Sequence, residues 1–246
     1  MRIDFVLGTV FVIPLTQMVF FAFVVQLGSG GASTTASAVA FTALGNAVAT
    51  VTYSSVFSVA QTTDSEKFQG TLEHLLVSPA NRLALYFGRG LIPILLSLAT
   101  VTVGLVYAST LFGVHIAAAA VPAIAVSVVL TAVAMVGFGL LLGGVALYLR
   151  TSLILGNIFL FVGLLLSGVN FPLSQLPLPL QYAGDALPLT WGVAAIRASV
   201  SGDPLSTLLV LWGAVGLAAG ITLAAAILLW KVFERRALST GSIARY

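Results

Sequence analysis

The sequence predicts an all-α integral membrane protein with six transmembrane helices, built as a single domain over residues 1–246. Three observations lead there. Hydrophobic residues make up 59% of the chain and charged residues 7%, against roughly 25% charged in an ordinary soluble domain. Six apolar runs without acidic residues each approach or exceed the length of about 20 residues that a helix needs to cross a bilayer. The basic residues on the connecting segments are also divided unevenly. If both termini lie inside, that side holds Arg2, Lys67, Arg82, Arg89, Arg150, Lys231, Arg235, Arg236 and Arg245, and the outside holds only Arg197. This is the positive-inside pattern, and an even number of crossings returns the chain to its starting side. A plasma-membrane protein with both termini cytoplasmic is the expectation.

The first span runs from Phe5 to Leu27. Ala36-Ser37-Ala38 resembles a signal-peptidase site, but the apolar run exceeds the roughly 7–15 residues of a signal core, so a retained span is expected. Its phenylalanines (Phe5, Phe11, Phe20, Phe21, Phe23) suit a lipid-facing or packed surface better than a binding pocket. A Gly/Ser/Thr-rich connector over Gly28–Ser37 has flexible-linker composition. Ala38 to Ala60 forms the second span. The third covers about Phe87–Phe112, and the short turn Gly113-Val114-His115 makes the third and fourth spans antiparallel neighbours. His115, alone at a membrane-edge turn, reads as solvated. Ile116–Leu149 is too long for one perpendicular crossing, so it must tilt, break near Gly143-Gly144 or extend beyond the bilayer. Leu153 to about Asn170 is the fifth span and Thr207–Trp230 the sixth, followed by a basic tail. Between these last two, Pro172, Pro177, Pro179, Pro188 and Pro204 cut an apolar stretch into pieces too short to cross. Short re-entrant or surface-lying helices fit such a segment, provided protein buries their ends.

One polar stretch interrupts this pattern. Thr63–Gly90 holds Asp64, Glu66, Lys67, Glu73, Arg82 and Arg89, too many charges to lie in hydrocarbon. Thr63 and Glu66 have capping-box spacing. Phe68, Leu72, Leu75 and Leu76 make one apolar stripe, and Pro79 stops the helix. A short amphipathic helix over Asp64–Val77 is the prediction.

The run Gln69-Gly70-Thr71-Leu72-Glu73-His74-Leu75-Leu76-Val77-Ser78-Pro79, with Arg82 and Gly88-Arg89 following, resembles the cytosolic loop of type-2 ABC transporter permeases. There the loop between spans 2 and 3 carries a coupling helix that docks on an ATPase subunit. A second run, Gly168-Val169-Asn170-Phe171-Pro172-Leu173-Ser174-Gln175-Leu176-Pro177, then Leu187-Pro188-Leu189-Thr190 and Arg197, is similar to the outer re-entrant segment between spans 5 and 6 of the same family. The likeness extends from about Phe11 to the tail. It departs at the front, where only Met1–Asp4 stand in place of the family's usual amphipathic helix. The resemblance implies that Glu66, Lys67, Gln69, Gly70, Thr71, Glu73 and His74 contact the ATPase. Phe68, Leu72, Leu75, Leu76, Pro79 and Arg82 would seat the helix, with Glu73 and Arg82 able to pair. Gly168, Phe171, Pro172, Leu176, Pro177, Leu187, Pro188, Thr190 and Arg197 would form the outer segment. Two copies of a separate ATP-binding subunit, a second permease subunit (identical or homologous) and the lipid bilayer are the implied partners. ATP and Mg would sit on the ATPase, with no cofactor in this chain.

The residues also exclude other chemistries. A Walker lysine needs a Gly-rich lead, but Lys67 follows Glu66 and Lys231 follows Trp230, so the chain has no ATPase site of its own. No Asp, Glu, Lys or His lies in the interior of a span, which disfavours the alternative of an ATP-independent secondary carrier or facilitator. No metal-ligand spacing and no nucleophile–base set is present, there is no cysteine, and the net charge of +3 belongs to cytoplasmic loops rather than to a nucleic-acid surface. Asn46, Asn157 and Asn170 are expected to form interhelical hydrogen bonds. Gly139-xxx-Gly143 and Gly216-xxx-Gly220 have the spacing for close helix approach.

Overall fold

The structure, a computed structural model, describes residues 7–28, 35–57, 82–149 and 152–240, and every regular element among these residues is helical. A π-helical turn, Gly8–Val12, leads into α1 (Ile13–Gly28). Helix α2 (Thr35–Thr52) continues into a second π-turn, Tyr53–Phe57. Then come α3 (Arg82–Leu111) and α4 (Val121–Leu149), the latter entered through a 3-10 turn at Ala118–Ala120. Helix α5 (Ser152–Leu166), the short helices α6 (Leu178–Asp185) and α7 (Pro188–Ser201), and α8 (Leu205–Thr240) complete the chain.

Among the described residues, five stretches are long and apolar enough to cross a membrane: Gly8–Gly28, Ser37–Val56, Gly90–Leu111, Ala118–Val145 and Leu205–Val232. The fifth expected span is shorter than Leu153–Asn170. Helix α5 has 15 residues, about 22 Å of rise against a hydrocarbon core of about 30 Å. It stops because Gly168 takes φ of +72°, a left-handed conformation that ends helices and favours glycine. Helix α4 runs without a break through Gly143-Gly144. Pro93 stands inside α3 without ending it, and four residues on Ser97 Oγ back-bonds to the Pro93 carbonyl at 2.7 Å.

Packing makes α2 the central rod. Of its most apolar window 78% is buried, against 22% for the first and last crossings. Val48, Val51 and Val56 of α2 meet Val101 of α3, Ile124, Val128 and Met135 of α4, and Leu189, Val193 and Ile196 of α7 in one core. Helix α7 is therefore no surface element: Leu189, Val193 and Ile196 are buried inside the bundle. Helix α6 is the surface piece, with Leu178 and Tyr182 exposed. Phe11, Phe20 and Phe23 of the first crossing are exposed, as a lipid-facing surface requires.

Helix α4 packs most extensively on α8, and its glycines make the approach possible. A Cβ on Gly137 would meet Thr222 Oγ1 at 2.8 Å, and one on Gly144 would meet Leu229 Cδ2 at 2.8 Å. On the α8 side the expected pair is not used: a Cβ on Gly216 or Gly220 meets nothing within 4 Å. The small residues that α8 brings to this contact are instead Ala219 and Ala226, buried against α4.

Candidate functional site

The predicted amphipathic helix over Asp64–Val77 lies outside the described residues, as do Glu66, Lys67, Phe68, Gln69, Gly70, Thr71, Leu72, Glu73, His74, Leu75, Leu76 and Pro79. Arg82 opens α3. The described half of the predicted site is the segment between α5 and α8.

That segment is built by prolines and side-chain bonds. Phe171 and Pro172 follow the Gly168 turn and lead into a 3-10 turn at Leu173–Gln175. Pro177 and Pro188 stand at the starts of α6 and α7, where a missing amide hydrogen costs nothing. Gln181 Nε2 donates to Leu176 O at 2.7 Å. Thr190 Oγ1 donates to Gly184 O at 2.5 Å and Trp191 Nε1 to Asp185 O at 2.8 Å, closing the angle between α6 and α7 across Leu187. Gly202, at φ +75°, ends α7.

Arg197 of α7 draws three elements together. Nη1 donates to Gly168 O at 2.8 Å, and Nη2 donates to Val169 O at 2.8 Å and to Phe41 O of α2 at 3.0 Å. The guanidinium carbon lies 3.4 Å above the centre of the Phe41 ring, a cation–π contact. These hydrogen-bond acceptors are all carbonyl oxygens. Two of them lie in the turn just past the C-terminus of α5, near the negative end of that helix's dipole. Burial lowers the Arg197 pKa to about 10, and the group remains a cation at neutral pH.

Asn46 and Asn170 add a second connection between α2 and this turn. Asn46 Nδ2 donates to Asn170 Oδ1 and to Thr42 O, both at 2.9 Å, and Thr42 Oγ1 reaches Asn170 O at 3.5 Å. Gly45 makes the approach possible, because a Cβ there would collide with Val169 O and lie 2.6 Å from Arg197 Nη2. The joint is nevertheless incompletely paired. Five buried side-chain polar atoms among the described residues have no hydrogen-bond partner, and three belong here: Asn46 Oδ1, Ser167 Oγ and Arg197 Nε.

A separate polar knot ties α7 to α4 and α8. Ser127 Oγ accepts from Trp212 Nε1 at 2.7 Å and lies 3.0 Å from Ser199 Oγ. It also donates to Ala123 O at 2.8 Å within its own helix.

Gly168 and Arg197 belong to the segment expected from the sequence, and Asn46 and Asn170, expected to bond between helices, bond each other, but across a helix and the turn after α5, because that helix already ends at Leu166. Phe41, Thr42 and Gly45 were not expected as partners of this segment. Their only signal was the run Phe-Thr-x-x-Gly-Asn within one span, which acquires meaning once Arg197 is beside it. No group of three or more metal-ligating side chains occurs among the described residues.

The arrangement binds backbone to backbone through one cation and two amides, a mechanical joint rather than a reactive centre. Comparisons with curated proteins and with solved structures find no match. The family model of the ABC-2 type transporter matches residues 2–200, which includes the joint and most of the bundle. The chain therefore belongs to the ABC-2 type transporter family, as a multi-pass membrane permease subunit of an ABC transporter.

Proposed function

We propose that this chain forms the translocation pathway of an ATP-driven exporter in the plasma membrane, with both termini cytoplasmic. The family match over residues 2–200 carries the reading, since ABC-2 membrane subunits work with ABC ATP-binding subunits. Two such subunits dock from the cytoplasm, and a second permease, identical or homologous, completes the pathway. Glu66, Lys67, Gln69, Gly70, Thr71, Glu73 and His74 make the docking contact, and ATP with Mg is held by the partner. The cargo class is amphipathic: a drug-like compound, a lipid or a lipid-linked glycan. For ATP to move such a cargo, ATP and cargo must favour different states of the permease. The central position of α2 supports the coupling, because this helix joins the Arg197 joint at one end to the polar stretch beyond Phe57 at the other.

Co-purification tests this directly. The chain, tagged at its tail and extracted in mild detergent from its native host, is expected to bring a stoichiometric subunit with a P-loop. Gly70→Trp is expected to lose that subunit while the permease still inserts. If no ATP-binding subunit follows after cross-linking in several detergents, the reading fails in favour of an ATP-independent facilitator.

A further inference from the structure

We propose that the Arg197 joint is a latch, engaged in this structure, that releases the segment after α5 from α2 during each transport cycle; the proposal rests on the transport reading above. The case begins with what a permanent staple would look like. Buried polar groups in a fixed joint are paired, because an unpaired buried donor or acceptor is costly. The knot around Ser127 has that character: its hydroxyl, Ser199 and the Trp212 indole are all satisfied. The Arg197 joint differs. It holds three of the five unpaired buried polar atoms among the described residues, and all three flank the contact between the turn and α2. A network left partly satisfied is poorly optimised for one arrangement, as expected of groups that exchange partners between two.

The partners are also suited to separation. Arg197 bonds to backbone carbonyls of the Gly168 turn and of Phe41, with no carboxylate among these acceptors, so release strands no buried anion. The turn is attached to the rest of its own segment through Gly168, whose φ of +72° marks a tight reversal. The Val169 side chain is buried in the main core, so release must also withdraw it from that core. On the other side, α7 is tied to α4 and α8 through Ser127, so Arg197 itself is mounted on fixed ground. The moving parts are α2 and the turn at 168–170. Release therefore shifts α2 against α7, and the cation keeps whichever carbonyls remain in reach.

The absence of cysteine makes the test free of background. Asn46→Cys is combined with Asn170→Cys, and the pair is joined by a short bifunctional thiol reagent in membranes containing the whole complex. Ser127→Cys with Ser199→Cys serves as the fixed reference. Vanadate with Mg-ATP traps the partner ATPase. The latch predicts that trapping lowers the Asn46–Asn170 cross-linking yield at least threefold and leaves the Ser127–Ser199 yield unchanged. An unchanged Asn46–Asn170 yield in a sample whose ATPase is demonstrably trapped overturns the latch alone, as does an equal fall at both pairs. Should the first pair fail to accumulate, Thr42→Cys with Asn170→Cys probes the same contact under the same criteria. Absence of any trapped ATPase overturns the transport reading, and the latch falls with it.

Discussion

Gly45→Ala is the sharpest test of the joint. The added Cβ would overlap Val169 O and stand 2.8 Å from Val169 C and 2.6 Å from Arg197 Nη2. Its neighbour is backbone on the far side, so no rotamer change relieves the clash. Van der Waals separations near 3.5 Å require the turn to retreat by about 1.5 Å. A 2.8 Å bond from Arg197 to Val169 O stretched by that much is no longer a hydrogen bond. Overpacking costs about 2 kcal/mol and the charge-assisted bond about 2 kcal/mol more, offset by about 1 kcal/mol of alanine's helix preference. The net expectation is a loss of about 3 kcal/mol, roughly a hundredfold in the folding equilibrium. Gly213→Ala, Gly216→Ala and Gly220→Ala are the controls, since a Cβ at each meets nothing within 4 Å. Reversible unfolding of the detergent-solubilised protein by sodium dodecyl sulfate measures all four. If Gly45→Ala is as stable as the parent, or no worse than Gly220→Ala, the close contact between α2 and the turn is refuted.

The other predictions concern the same packing. Arg197→Lys should cost about 2 kcal/mol in that assay, because a point ammonium cannot span Gly168 O, Val169 O and Phe41 O as a planar fork does; equal stability refutes the fork. Ser127→Ala should cost about 1–3 kcal/mol by stranding the Trp212 indole, and Trp212→Phe in the same chain should recover part of it. A double-mutant cycle with coupling below about 0.3 kcal/mol denies the bond. Gly192→Ala should destabilise by about 2 kcal/mol through overlap with the Thr131 side chain, and Thr131→Ala should rescue it. Failure of that rescue places the cost elsewhere.

Much of the architecture was legible in the sequence because hydrocarbon allows few solutions. Uncharged runs of the required length became helices at Gly8–Gly28, Ser37–Val56, Gly90–Leu111, Ala118–Val145 and Leu205–Val232. Their ends were less legible. Helix α3 begins earlier than Phe87, and α8 continues past Trp230 to Thr240, since charged residues end a hydrophobic run without ending a helix. The fifth span overshot because Gly168 reads as one more small apolar residue until its backbone is seen. Arg197 stood out as the lone cation on the side expected to be outer, but its partners are carbonyls, and carbonyls leave no trace in a sequence. The glycine spacing misled for a related reason. A Cβ is excluded at Gly137 and Gly144 of α4 and not at Gly216 and Gly220 of α8, and a pattern search has no means of telling these glycines apart.

The π-turn at Tyr53–Phe57 has a consequence for register. In an α-helix each residue advances about 100° around the axis, so adjacent side chains point to different neighbours. Here Ser54 Oγ lies 3.3 Å from Thr100 Oγ1 and Ser55 Oγ 3.0 Å from Ser97 Oγ, two successive residues addressing one helix. The widened turn admits one extra residue and so rotates the direction in which α2 hands the chain on. Deleting one residue within 53–57 would restore an unbroken helix and swing the departing chain by about a quarter turn. The end of this helix at Phe57 would then be turned toward a different neighbour, with every other residue unchanged.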